Sequence, residues 1–284
     1  MGKLFDGKLV FTQIPLLLKY LPVTMELAVT AMIASLILGL LLALVKIKKV
    51  PVLKQLVSIY ISVIRGTPIL VQLYVTYFGI PMLLKYINFK CGTNYNVNGV
   101  APIVYAFVAL ALNESAFNAE IIRASLESVD KGQVEAASAL GMNYFQALIR
   151  IILPEATVVA LPSLGNAFIG LIKGTSLAFV CSVVEMTAEG KILAGRNYRY
   201  FEVYISLAIT YWVITFVLER VISYLEKKLR IPEDVGRSRG IYLNLVLRVD
   251  NLCHRVNDAS HQLTVNTRLL FQVLYHGQID FFYG

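Results

Sequence analysis

The sequence predicts an all-α, polytopic membrane protein with five transmembrane helices, and three observations lead to this class. The 284 residues are 57% hydrophobic and only 15% charged, whereas soluble domains carry about 25% charged residues. Five segments each hold about 20 mostly apolar residues, the length that a helix needs to cross the hydrocarbon core of a bilayer. The net charge is +8, and the basic residues that produce it lie between these apolar runs. This distribution is typical of a polytopic membrane protein and argues against nucleic-acid binding.

The five predicted spans lie within residues 21–230. The first runs from about Leu21 to Val45 and ends at a lysine-rich flank that resembles a stop-transfer signal, so a cleaved signal peptide is the weaker alternative. The connections on one side of the membrane hold ten basic residues and those on the other hold eight. This difference weakly favours an outside amino terminus, which makes residues 1–20 an extracytoplasmic or interfacial segment. The remaining spans run from about Leu56 to Leu84, Val100 to Ile122, Ala156 to Val184 and Val203 to Tyr224. Within the second of them, Gly66-Thr67-Pro68 is expected to disturb the helix locally, because Pro68 removes a backbone donor.

The fourth span is too long for one upright helix. Its 29 residues would measure about 43 Å as a helix, which exceeds the hydrocarbon thickness. Because it also contains Gly165, Gly170 and Gly174, we predict a break near Gly170–Thr175 that lines a cavity. A long tilted helix whose glycines allow close packing is the alternative.

Residues 236–284 differ in composition from the rest of the chain. They contain all three histidines and five arginines, but none of the 14 lysines. They also lack an apolar run of about 20 residues. We interpret them as a non-native or disordered tail without a role in the fold, and a soluble accessory segment is the alternative.

The connection at residues 123–155, between the third and fourth spans, carries the strongest pattern. It is too polar to cross a membrane, yet its apolar residues recur at helical spacings of three and four. We predict a short helix over Glu135–Leu140 that ends at Gly141, since glycine accepts the left-handed backbone after a helix. A second helix follows, and Pro154 is expected to break or redirect the chain into the membrane.

This connection resembles the EAA loop of ABC-importer permeases. The pattern Glu135-Ala-Ala-x-x-x-Gly141, followed after nine residues by Ile151-x-Leu153-Pro154, matches the full signature. Other segments look like the polar amino-acid uptake branch of that family, which includes histidine, glutamine and cystine permeases. These segments are Arg65–Gln72, Ala119–Arg123, Lys131–Gln133, Ala160–Asn166 and Leu171–Leu177.

The resemblance implies the ABC-importer type I permease fold and a multi-pass protein of the bacterial cytoplasmic (inner) membrane. Its implied partners are cytoplasmic ABC ATPase subunits, an extracytoplasmic substrate-binding protein, a second permease subunit (in a homodimer or heterodimer) and membrane lipid. No cofactor is expected on this chain, since it has no GxxxxGK[ST] phosphate loop, and ATP and Mg are expected on the ATPase. No metal site is predicted, because the three cysteines lack ligand spacing. The implied ATPase-coupling residues are Glu135, Ala136, Ala137 and Gly141.

Polar side chains inside the predicted spans are candidates for a substrate pathway, because such residues are costly in a membrane. A carboxylate at Glu114 suits a substrate amino group, or it makes hydrogen bonds between helices. Lys173 suits a substrate carboxylate, or it pairs with an acidic residue of a second subunit. Glu120 and Arg123 lie three residues apart on one helical face and are expected to form a structural ion pair. The full candidate pathway set is Gln72, Asn113, Glu114, Phe117, Lys173, Thr175 and Ser176.

These features predict the membrane subunit of an ATP-driven importer for a polar amino acid, with cystine as one candidate substrate. They do not predict an enzyme, since the spans contain no histidine and no nucleophile–base set. An ion-coupled transporter that works without an ATPase is the rival, with Glu114 and Lys173 as its relay. Its weakness is that such a protein has no use for the EAA loop.

Overall fold

The computed structural model describes residues 5–229, apart from the side chains of Asn98 and Lys131, and the regular structure in that range is entirely helical. The predicted all-α class is confirmed. The predicted tail at 236–284 lies outside the described residues. The α-helices are α1 Gly7–Leu18, α2 Leu21–Ile47, α3 Leu53–Gly66, α4 Ile69–Cys91, α5 Pro102–Glu127, α6 Lys131–Ala139, α7 Tyr144–Ala147, α8 Leu153–Gly174, α9 Met186–Asn197 and α10 Tyr200–Leu229. Short 3-10 helices occupy Val97–Gly99 and Thr175–Cys181, and a π-helical turn occupies Leu148–Ile152.

Five helical segments form the membrane bundle. Four of them are long and apolar enough to cross a bilayer by composition alone: α2, α4, the continuous segment Tyr144–Cys181 and α10. The fifth is α5, whose 26 residues reach about 39 Å. This helix packs against α2, α3, α4 and α8, so it lies inside the bundle. Its more polar composition fits that position, because polar residues within a membrane generally face protein rather than lipid.

The most extensive helix contact is between α2 and α5. Small residues allow the two backbones to approach closely: a Cβ atom on Gly39 would lie 3.1 Å from the backbone nitrogen of Ala119. One buried hydrogen bond crosses the contact, from Asn118 Nδ2 to Ser35 Oγ at 2.9 Å. Close packing and interhelical hydrogen bonds are what hold helices together in a membrane.

The second predicted span is interrupted where Pro68 was expected to disturb it, and the interruption is complete. The structure divides it into α3 and α4, which meet at Thr67 and Pro68. Thr67 is extended, with φ −112° and ψ 141°, because a proline disfavours the helical conformation of the residue before it. The 23-residue α4 is long enough to cross the membrane by itself.

The expected break at Pro154 does not occur, because α7 continues through the π-helical turn into α8. In that turn the N–H of Leu153 donates to the carbonyl of Leu148, five residues back. The wider turn lets the helix run on into Pro154, which stands in the first turn of α8, where a missing N–H is tolerated.

The predicted break near Gly170–Thr175 is a change of helix type. The α-helix ends at Gly174, within the predicted interval, but the chain continues as a 3-10 helix from Thr175 to Cys181. The N–H of Thr175 still donates to the carbonyl of Leu171. The backbone N–H of Thr175 is therefore hydrogen-bonded within the helix and not free to bind a substrate.

Helices α1, α9 and α10 pack together around a second apolar cluster, which includes Leu17, Met186 and Leu207. The hydroxyl of Ser206 donates to the carbonyl of Val10 at 2.8 Å, which fixes α1 against α10. Residues 7–18, predicted as an interfacial segment, thus form a helix packed on this cluster.

Candidate functional site

The EAA segment forms α6 and the turn that ends it. Asp130 caps the start of α6, where its Oδ1 accepts from the N–H of Gly132 at 3.0 Å. The helix ends at Ala139, and Gly141 adopts φ +80°. A side chain at this position would strain the backbone, which explains the glycine of the motif.

The surface of α6 and α7 is exposed and partly apolar. Glu135 and Ala136 are exposed, whereas Ala137 is buried and fixes α6 on the rest of the loop. Three large apolar side chains project from the connection and from α7: Leu140 is 81% exposed, Tyr144 71% and Phe145 67%. We call this the docking surface: Glu135, Ala136, Leu140, Gly141, Tyr144 and Phe145. Large apolar side chains that a polar connection leaves exposed are typical of a protein contact.

The second helix of the loop, α7, is stabilised at its start by a capping box. Asn143 and Gln146 form a capping box: Asn143 Oδ1 accepts from the N–H of Gln146 at 2.9 Å, and Gln146 Oε1 accepts from the N–H of Asn143 at 3.0 Å. This reciprocal pairing satisfies two N–H groups at the start of α7. It holds Tyr144 and Phe145 in place on the docking surface.

Charged side chains form a cluster at the inner ends of α2 and α5. Glu120 and Arg123 form an ion pair, with Nη2 2.8 Å from Oε2. Arg123 also pairs with Glu127 at 2.6 Å, and Lys46 of α2 pairs with Glu120 from the other side. The sequence did not indicate Lys46 as a partner, because it lies 74 residues from Glu120 and no local spacing connects them. We call these four residues the ionic cluster.

Two of the candidate pathway residues, Asn113 and Gln72, are hydrogen-bonded to each other. Asn113 Nδ2 donates to Gln72 Oε1 at 3.0 Å. Gln72 also donates through Nε2 to the carbonyl of Ile64 at 2.9 Å and to Thr67 Oγ1 at 2.8 Å. Gln72 therefore bridges the α3–α4 break and connects it to α5.

Glu114 and Phe117 follow Asn113 on α5. Glu114 is 9% exposed, and no hydrogen bond or ion pair within residues 5–229 involves its carboxylate. The guanidinium of Arg65 lies over the ring of Phe117, 5.3 Å from its centroid, at a distance typical of a cation–π contact. The break before Pro68 thus places a cation beside the middle of α5.

The three remaining candidates lie where α8 becomes a 3-10 helix. Lys173 is exposed and makes no ion pair within the described part of the chain. Thr175 is fully buried, and its hydroxyl donates to the carbonyl of Ile172 at 2.7 Å, so that hydroxyl stabilises the helix end. Ser176 is half-buried.

A buried carboxylate outside the spans was not predicted. Glu185 is fully buried and caps α9, where it accepts from the N–H groups of Thr187 and Ala188, both at 2.9 Å. Burial raises the pKa of Glu185 above its usual range, and this outweighs the two N–H groups and the Tyr211 hydroxyl that favour the charged form. Further along α9, the Lys191 ammonium lies over the ring of Phe179, 2.9 Å from its centroid. Within residues 5–229 no three His, Cys, Asp or Glu side chains are grouped as metal ligands.

The structure combines apolar helices long enough to cross a membrane with an exposed helical loop between two of them, the arrangement expected of a membrane subunit that a separate protein contacts. Comparison with known proteins identifies the family. Residues 35–231 match the family described as the binding-protein-dependent transport system inner membrane component, and the chain belongs to this family.

Named relatives narrow the class to amino-acid transport. The chain is 43% identical over 227 residues to the probable amino-acid permease protein YxeN of Bacillus subtilis, covering 80% of this chain and 97% of that one. It is 40% identical to the L-cystine transport system permease protein TcyL of the same organism, covering 81% and 94%. It is 34% identical to the glutamine transport system permease protein GlnP of Escherichia coli, covering 80% and 99%.

A solved structure shares both the fold and the sequence. A crystal structure described as an amino acid ABC transporter with histidines is 36% identical, with a TM-score of 0.66 over 79% of this chain and 99% of that one. The chain is therefore an amino-acid ABC transporter permease subunit of the inner membrane and not itself an enzyme. Its family works with ATPase and binding-protein partners in general.

Proposed function

We propose that this permease imports cystine and that its ATPase docks on α6 and α7. The observation that carries the docking proposal is the docking surface, which exposes Leu140, Tyr144 and Phe145 in a loop predicted to lie on the cytoplasmic side. Apolar side chains so exposed in water are stabilised when a partner covers them.

In this proposal the four residues of the motif have different roles in binding the ATPase. Ala136 is small enough for a partner to approach closely, and the exposed carboxylate of Glu135 offers a charged contact that sets the register. Ala137 faces inward and holds the helix, while Gly141 supplies the left-handed backbone that ends it. The partner binds ATP and Mg, and this chain binds no cofactor.

The remaining partners follow from the transport cycle. Closure of two ATPase subunits moves α6, which we call the docking helix, in each of two permease subunits, identical or related, and opens the pathway outward. An extracytoplasmic binding protein then delivers the substrate. Hydrolysis returns the pathway to the inward-facing state.

The intramembrane charges suit a zwitterionic substrate. In this proposal the carboxylate of Glu114, which is unpaired within residues 5–229, receives an amino group, and Lys173 receives a carboxylate. Asn113, Gln72 and Phe117 line the path. Thr175 and Ser176 lie at the end of α8 beside it. Cystine carries two groups of each kind. The relative named for L-cystine transport supports this choice, as does the resemblance of Lys191–Arg196 and Tyr200–Glu202 to cystine-type members.

Copurification tests the docking proposal. The native chain is expected to retain its ATPase in detergent, and Glu135→Arg is expected to lose it while keeping the native melting temperature, because the change lies on an exposed helix face. Glu226→Arg makes the same charge change at the cytoplasmic end of α10 and is expected to retain the ATPase. Retention of the ATPase by Glu135→Arg would contradict docking at α6.

Uptake by reconstituted vesicles tests the substrate. With the binding protein and ATP present, labelled cystine is expected to accumulate and to be displaced by excess unlabelled cystine more strongly than by glutamine. Stronger displacement by glutamine would assign the permease to the glutamine branch.

A further inference from the structure

The ionic cluster joins two helices that are far apart in sequence. Glu120 lies between Lys46 of α2 and Arg123 of its own helix, and Arg123 continues the chain of charges to Glu127. The side chains of Lys46 and Glu120 are 20% and 21% exposed. Charged groups withdrawn from water to this extent interact more strongly than the fully exposed pairs that contribute little.

The same two helices are also held together deeper in the membrane. There the close approach at Gly39 and the buried hydrogen bond between Asn118 and Ser35 join α2 to α5. The two attachments are close together along α5, because Asn118 and Glu120 are two residues, or about 3 Å of helix rise, apart. Helices α2 and α5 are therefore fastened both by packing and by charge over the inner part of α5.

The docking helix is attached directly to α5 and touches it little. Only residues 128–130 separate the end of α5 from α6. Helix α6 packs against α7 and the π-helical turn, while a cavity of about 410 Å³, lined by Glu127, Val129 and Val134, separates α6 from the end of α5. A displacement of α6 consequently reaches the bundle by two routes: through the short connection to α5, and through α7 and the π-helical turn to α8.

Helix α5 also carries the candidate pathway residues. Glu114 precedes Glu127 by 13 residues, which places the two about 20 Å apart along the helix axis. One rigid helix thus extends from the docking helix to the substrate path, and the ionic cluster lies between them.

We propose that Lys46 and Glu120 are positioning residues that make α2 and α5 move as one unit when the ATPase displaces α6. This proposal rests on the function proposed above. With the Lys46–Glu120 pair intact, the displacement shifts both walls of the pathway; without it, α2 is coupled to α5 by packing alone, its inner end lags behind that of α5, and the pathway opens incompletely. ATP hydrolysis then continues while import falls.

The test uses the assembled complex of permease, ATPase and binding protein in proteoliposomes, and it measures substrate imported per ATP hydrolysed. Lys46→Gln removes the α2–α5 ion pair but leaves Glu120, Arg123 and Glu127 paired on α5. The ratio is expected to fall by about fivefold or more, the lower end of typical coupling energies, and Lys46→Arg is expected to restore it. Lys48→Gln is the matched control, since Lys48 is exposed two residues further on and its loss is expected to leave the ratio unchanged.

Glu120→Gln provides a second and independent variant. If the two residues act as a pair, the double variant Lys46→Gln with Glu120→Gln has a ratio no lower than that of Glu120→Gln alone. An unchanged ratio in an assembled variant, or a parallel loss of hydrolysis and import, would overturn the proposal, because either result leaves the cluster with a structural role only. A native complex without any ATP-driven import would overturn the proposed function itself, and the inference with it.

Discussion

At the scale of single residues, Glu185 shows how a buried carboxylate positions a helix. Its two oxygens accept the N–H groups that begin α9 and the hydroxyl of Tyr211, so one side chain fixes α9 to α10. A cap of this kind typically contributes about 1 kcal/mol. The cost of burying the charge opposes this gain, as the raised pKa of Glu185 shows.

Glu185 gives the stability of the protein a pH dependence of known sign. Because its folded pKa lies above its unfolded value, the folded state binds the proton more tightly. This contribution is fully present below the unfolded pKa of about 4.3 and is lost as pH rises through the folded pKa. As pH rises from below about 4.3 to above the folded pKa of Glu185, the melting temperature of the native chain is therefore expected to fall relative to that of Glu185→Gln.

Thermal unfolding in detergent at a series of pH values measures this difference. Glu219→Gln, which removes an exposed carboxylate from α10, reports the effect of lost charge alone. Parallel curves for the native chain and Glu185→Gln would show that Glu185 makes no such contribution.

At the scale of helices, glycines set the distance between α8 and α10. A Cβ atom on Gly165 would lie 2.6 Å from Cγ2 of Ile222, whereas one on Gly170, five residues further along α8, would meet nothing within 4 Å. Both substitutions by alanine gain up to about 1 kcal/mol of helix propensity. Only the first must also displace the Ile222 side chain or the helix that carries it, at a cost of about 1–3 kcal/mol.

Gly165→Ala is therefore expected to lower the melting temperature of the purified protein, while Gly170→Ala leaves it unchanged or raises it. Adding Ile222→Ala to Gly165→Ala is expected to recover part of the loss, because it returns the missing space. Equal melting temperatures for the two glycine variants would mean that α8 and α10 do not approach as closely as described.

The helices also show what a sequence predicts and what it leaves open. Apolar runs predicted the spans, and Gly141 predicted the end of the docking helix, because hydropathy and positive φ are local properties. Pro68 predicted a local disturbance of the second span, but it lies inside a continuous apolar run, so hydropathy did not reveal that α3 and α4 are separate helices. The π-helical turn before Pro154 depends on a hydrogen bond five residues back, which no residue pattern displays.

In the candidate site, too, contacts within one helix could be predicted from the sequence and contacts between helices could not. The spacing of Glu120 and Arg123 predicts an ion pair within one helix, and the structure contains it. The pairing of Lys46 with Glu120 and of Gln72 with Asn113 joins residues from different helices. Such contacts follow from how the helices pack, which periodicity along one helix cannot reveal.

At the scale of the whole molecule, the family match ends at residue 231, near the point where composition changes. Deletion of residues 236–284 is expected to leave ATP-driven uptake within about twofold of the native rate, because the docking helix, the ionic cluster and the pathway candidates all lie before it. The measurement is initial uptake at equal amounts of membrane-inserted protein. Loss of uptake in the truncated chain would give the tail an essential role.

The central claim is that this chain converts the work of a separate ATPase into import. The most direct measurement is uptake of labelled cystine by proteoliposomes that contain the native complex, compared between ATP alone, a proton or sodium gradient alone, and ATP with Glu135→Arg in place of the native chain. Accumulation with ATP alone, abolished by Glu135→Arg and not supported by either gradient, is the expected result. Uptake driven by a gradient without ATP or any ATPase would contradict it and identify an ion-coupled transporter.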